Sequence, residues 1–116
     1  MRSVVIAGLV VLSGCVTPQG LPQKLQALGT EPFWAIYVEP GKLRYTSPDT
    51  LDGTTFPATE TEQGSGKRFA GTLEGMQVVL TVTPGTCSDG MSDTVYPYAA
   101  TLTFGSEVRK GCARPQ

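Results

Sequence analysis

Three features of the sequence predict an all-β chain, folded as a small antiparallel up-and-down β-barrel or a strongly curled sheet and held by one disulfide. Short runs rich in aromatic and β-branched residues recur along it, Phe33-Trp34-Ala35-Ile36-Tyr37-Val38 being the clearest. Turn formers separate these runs, with 14 glycines and 9 prolines in 116 residues. No segment shows a convincing helical period. Closing the sheet into a barrel removes exposed strand edges, which is why a barrel is preferred to a two-sheet sandwich.

The chain opens with Met1-Arg2-Ser3, a nearly unbroken apolar run from Val4 to Leu12, and Ser13-Gly14-Cys15. One positive charge, a short apolar core and small residues make a secretory leader, and the run is too short to stay in a bilayer as a helix. Leu12-Ser13-Gly14-Cys15 resembles the bacterial lipobox, which implies cleavage before Cys15 and lipidation of that residue. The reading is therefore a signal peptide over 1–14, a lipidated cysteine and tether over 15–24, and one β-domain over 25–116. Val16 after the cysteine, in place of Asp, implies the periplasmic face of the outer membrane by the same resemblance.

The elements follow in order. Lys24 to Leu28 suits a first strand or one turn of helix. Phe33 to Val38 is a strand, Glu39-Pro40-Gly41-Lys42 a turn, and Leu43-Arg44-Tyr45 the returning strand. Ser47 to Gly53 reads as loop. Thr54 to Ala58 is a weak strand that Pro57 pushes towards a sheet edge, and Glu60 to Gly66 reads as a mobile surface loop. Arg68–Leu73 and Met76–Val82 form a hairpin about Glu74-Gly75, and Pro84-Gly85-Thr86 breaks its second strand. Tyr96–Phe104 and Glu107–Cys112, joined at Gly105-Ser106, form the last hairpin. Seven or eight short strands result, without an internal repeat.

Three cysteines in an exported chain divide into Cys15 for lipid and Cys87 with Cys112 for each other. The alternative, two free thiols for redox or metal chemistry, lacks a C-x-x-C spacing and any histidine. The net charge is −1, with no long run of one sign. Nucleic acid is not an expected partner. The absence of histidine removes the usual proton shuttle and the commonest metal ligand.

Gly29-Thr30-Glu31-Pro32-Phe33-Trp34, Cys87-Ser88-Asp89-Gly90-Met91-Ser92-Asp93, Tyr96-Pro97-Tyr98 and Gly111-Cys112-Ala113 together resemble a group of uncharacterised small bacterial lipoproteins. The likeness spans nearly all of the mature chain, and it carries no assigned activity. META-type proteins and membrane-bound inhibitors of C-type lysozyme are similar only in outline, as small β-domains of the envelope. The turn leading into Trp34 is similar to the entry of lipocalin-like barrels, with a different spacing.

The remaining candidates for chemistry are few. Asp89 and Asp93 with Glu31 supply carboxylates, but a glycosidase needs two of them opposed across a cleft, and Asp89-Gly90 is first a turn dipeptide. Asp89, Ser92 and Asp93 offer hard oxygen ligands without the spacing of a calcium loop. No catalytic residue, metal or cofactor is assigned. Glu31, Trp34 and Arg109 are read as structural. Trp34 is expected to plug one barrel end, its indole N–H on a backbone carbonyl and Arg109 or Arg44 over its ring. The loop Asp89, Met91, Ser92, Asp93, rooted at the disulfide, is the candidate binding surface. The expected function is that of a non-catalytic, monomeric lipoprotein that binds an envelope or host protein. Inhibition of C-type lysozyme, a small-ligand barrel, and a structural or stress role in the envelope are the alternatives.

Overall fold

The computed structural model describes residues 20–90 and 93–116. The leader, Cys15, Met91 and Ser92 lie outside the described residues. Eight strands form the fold: β1 (Leu25–Gly29), β2 (Trp34–Glu39), β3 (Lys42–Ser47), β4 (Thr50–Gln63), β5 (Gly66–Leu73), β6 (Met76–Ser88), β7 (Val95–Phe104) and β8 (Glu107–Pro115). Each pairs antiparallel with the next, and β1 pairs with β8, so the sheet closes into an up-and-down barrel. The alternative of a sandwich is thereby excluded, and the first segment is a strand rather than a helical turn.

Alternation along the strands builds the core. In β2, Trp34, Ile36 and Val38 point in, while Ala35, Tyr37 and Glu39 point out. The inward row continues through Leu25, Ala27, Leu43, Phe56, Phe69, Val78, Leu80, Val82, Ala100, Leu102 and Ala113, all buried. Each large aliphatic among them contributes roughly 1.5–3 kcal/mol on burial. These side chains fill the barrel, as they do in other narrow eight-stranded barrels. Leu21, expected in the tether, also packs against the core at 9% exposure. At the end where the chain enters, the inward row ends in an ion pair, Lys67 Nζ lying 2.7 Å from Glu60 Oε2.

Several boundaries differ from the sequence reading. The expected loop over Ser47–Gly53 shrinks to a turn at Pro48-Asp49, and Glu60–Gln63 is strand rather than mobile loop, with the turn at Gly64-Ser65. The reason is stagger. β4 pairs with β3 through Pro57 and with β5 only from Ala58 onward, so each half of this 14-residue strand has a single neighbour. A strand paired on one side has less to bury, and its sequence is correspondingly polar. Pro57 sits where β4 passes from one neighbour to the other, so the barrel accepts it without an edge strand. Pro84-Gly85-Thr86 does not end β6. It produces a register shift between Pro84 and Cys87, after which pairing with β7 resumes.

Candidate functional site

The motifs that stand out in the sequence meet near one end of β1. Cys87 and Cys112 are bonded, with their Cα atoms 5.6 Å apart. Cys112 lies between the inward positions Gly111 and Ala113 of β8, so it faces outward. It is nevertheless 1% exposed and stands apart from the apolar core. The irregularity at Pro84–Cys87 lets the end of the β6–β7 hairpin lie over the outer side of β8, where the bond fastens it. Tyr96 on this flap packs against outward-facing Arg114, whose guanidinium carbon is 5.6 Å from the ring centroid. Ser88 and Asp89 then line a small niche of about 190 Å³ with Gly29, Thr30, Lys110 and Gly111. The GTEPFW turn and the root of the Asp89–Asp93 loop are therefore neighbours. Within that loop Ser88 Oγ accepts from the Gly90 N–H at 3.2 Å, and Tyr96 O–H donates to Asp89 at 3.5 Å. Asp93 is exposed.

Trp34 is core, as expected, at 3% exposure. Its contacts are not the expected ones. The indole lies over two glycines: a Cβ on Gly29 would stand 2.2 Å from Nε1, and one on Gly111 would stand 2.9 Å from Cζ2. The N–H thus faces the Hα side of a glycine rather than a carbonyl, and it has no hydrogen-bond partner among the described residues. Neither arginine covers the ring. Arg109 points into the same barrel end, donating to Tyr45 Oη at 3.4 Å and to Glu107 at 3.1 Å. The Glu107 carboxylate is the main cause of an Arg109 pKa above the ordinary guanidinium value. Tyr45 in turn meets Phe104 edge-on at 5.4 Å. Arg109 thus pairs with Tyr45 and Glu107 rather than with the Trp34 ring. Arg44 lies over Tyr37, 4.3 Å from the ring centroid.

A further feature is a groove that the sequence did not announce. On the outer face of β1–β3, Leu28, Ala35 and Thr46 form one cross-strand row, and Tyr37 and Arg44 form the next. Together with Phe33, Ser47, Pro48 and Leu51 they line an open, mainly apolar groove of about 440 Å³. Its walls are two turns. Phe33, 56% exposed, rises from the β1–β2 turn, and Leu51, 79% exposed, stands across from it beyond the β3–β4 turn. Glu31 in the first turn adopts the left-handed region at φ 59°, unusual for a residue with a Cβ. Phe33 had been counted as an ordinary strand residue and Leu51 as part of a loop. The available signal was Leu51 itself, a large apolar residue alone in a polar, turn-rich stretch.

The floor is braced from both sides. Arg44 Nη1 donates to the Asp52 carbonyl at 3.3 Å. Gln26 Nε2 donates to Tyr37 Oη at 3.2 Å, and Arg114 donates to Gln26 Oε1 at 3.1 and 3.2 Å. With the Arg114–Tyr96–Asp89 contacts, a continuous polar belt runs from the groove to the disulfide-rooted loop. Among the described residues no group of His, Cys, Asp and Glu is placed to hold a metal ion. No family model, curated protein or solved structure matches the chain.

Proposed function

We propose that this protein is a non-catalytic lipoprotein of the bacterial envelope, anchored through Cys15 at the periplasmic face of the outer membrane, that binds another protein through the groove between Phe33 and Leu51. The observation that carries the reading is the pair itself. Two large apolar side chains, 56% and 79% exposed, face the same open groove, whereas exposed Met76, Val95 and Val108 do not line it. Exposed apolar surface with polar surroundings marks interaction sites in soluble domains. The packed interior argues against a ligand carried inside the barrel, so recognition belongs to the outer surface. The Asp89–Asp93 loop is a second contact surface, favoured by the bond that fixes its root and by the belt that joins it to the groove floor.

The topology is consistent with this anchoring. The chain enters the barrel at Gly20–Lys24, and β1 runs from there to the β1–β2 turn that carries Phe33. A tether at the entry end therefore holds the groove on the side away from the membrane. Cys15→Ala is expected to yield unprocessed or soluble protein, read by fractionation; full retention with the membrane would contradict the anchor. The binding reading is tested by Leu51→benzoylphenylalanine in cells. Irradiation should join the protein to a discrete envelope protein, whereas the same probe at Thr72, on β5 and outside the groove lining, should not. Equal labelling from both positions, or none from position 51, would contradict it.

A further inference from the structure

The chemistry of the groove selects among protein partners, and this inference rests on the groove being the binding surface. We propose that the occupant is a cationic segment, with a large apolar side chain seated between Phe33 and Leu51 and Lys or Arg side chains reaching Glu31, Asp49 and Asp52. These three residues adjoin the groove lining in sequence: Glu31 shares the turn with Phe33, Asp49 follows Pro48, and Asp52 follows Leu51. All three are exposed. Among the described residues none of them forms an ion pair, whereas Glu39, Glu60 and Glu107 are each matched by Lys42, Lys67 and Arg109. Among the described residues the carboxylates around the groove are thus without a cation of this chain, as Glu62 and Glu74 are elsewhere, and Glu31, Asp49 and Asp52 differ from those in standing beside an apolar groove.

The one cation lining the groove does not neutralise them. Arg44 lies flat on Tyr37 and donates to the Asp52 main-chain carbonyl, leaving the carboxylates to a partner. The groove's form agrees. It is open along the outer face, with walls made by turn residues, which admits a projecting side chain of a macromolecule more readily than it encloses a small molecule. An apolar centre with a charged, solvated rim is the usual anatomy of a transient protein interface. Rim charges of one sign speed the approach of an oppositely charged partner and suppress the wrong ones. Glu74, at the β5–β6 turn and in no ion pair among the described residues, adds negative charge at the same barrel end.

The test uses the full chain extracted in a neutral detergent and two peptides. One is acetyl-Lys-Lys-Leu-Phe-Lys-Lys-amide, and the other replaces every Lys with Glu. The cationic peptide should bind saturably, crosslink from Leu51→benzoylphenylalanine and not from Thr72→benzoylphenylalanine, and weaken as salt rises. Its charge-reversed twin should not bind. A Glu31→Gln, Asp49→Asn, Asp52→Asn triple variant with unchanged melting should lose about tenfold in affinity and most of the salt dependence. Equal binding of both peptides at position 51, unaltered in the triple variant, overturns the charge preference while leaving the groove as a binding surface. Failure of the cationic peptide to crosslink from position 51 overturns the inference. If no envelope protein is captured from that position in cells either, the groove itself is excluded.

Discussion

Two glycines decide where the only tryptophan can sit. Gly29 and Gly111 face each other across β1 and β8, and the Trp34 ring lies on the flat patch they leave. A Cβ at Gly111 would stand 2.0 Å from the Leu28 carbonyl oxygen, a backbone atom that cannot swing away. Gly111→Ala should therefore push β1 from β8 and cost about 1–3 kcal/mol or more, in line with overpacking of a dense core. Gly20→Ala, with open space around the new methyl, should leave stability unchanged. Urea unfolding of the two variants checks both, and a neutral Gly111→Ala would mean that the closure is looser than described. At this scale the sequence was legible in part. An aromatic at a strand entry reads as core, because burying so large a ring is strongly favourable. That its N–H meets a glycine instead of an acceptor was not legible, because that glycine comes from β1 and the ring's second seat from β8, 77 residues away.

The β6–β7 flap shows how one irregular segment repositions a loop. Pro84 to Thr86 was read as an end to the strand; it serves instead as a hinge that lays Cys87 over β8. The bond spans 25 residues of chain, for which loop-closure entropy gives ~3.5 kcal/mol. Since Cys112 faces out and lies beyond the apolar cluster, Cys87→Ala with Cys112→Ala should loosen the flap before the barrel. Hydrogen exchange should lose protection first over 84–96, with Ile36, Leu80 and Leu102 still protected. Simultaneous loss throughout would show that the bond holds the barrel shut rather than the flap down. Hairpins with two-residue turns, at Glu74-Gly75 and Gly105-Ser106, were readable because turn and flanking alternation agree. Strand β4 was not, because its two halves serve different neighbours and a half-paired strand keeps polar residues on both faces.

For the molecule as a whole, closure explains how strands alone, with no helix among the described residues, make a core: every strand has two neighbours, which β4 meets one after the other along its length, and a continuous apolar interior is enclosed. The same closure, with the interior filled by side chains, leaves the outer surface for the recognition proposed above. The barrel count and the cysteine pairing followed from periodicity and from arithmetic on three cysteines. The groove did not, because its walls come from turns on either side of β2–β3 and its floor from outward positions that look like ordinary surface. Placing Phe33 opposite Leu51 requires the register of three strand pairs, which no local pattern contains. The central claim is that this pair is kept exposed for a partner. Phe33→Ser with Leu51→Ser puts it to the sharpest test, measured as melting temperature and capture of the envelope protein crosslinked from the groove. Exposed residues outside the core contribute within about 0.5 kcal/mol to stability, so the account predicts an unchanged melt and lost capture. A variant that melts early, or one that still captures its partner, would contradict it.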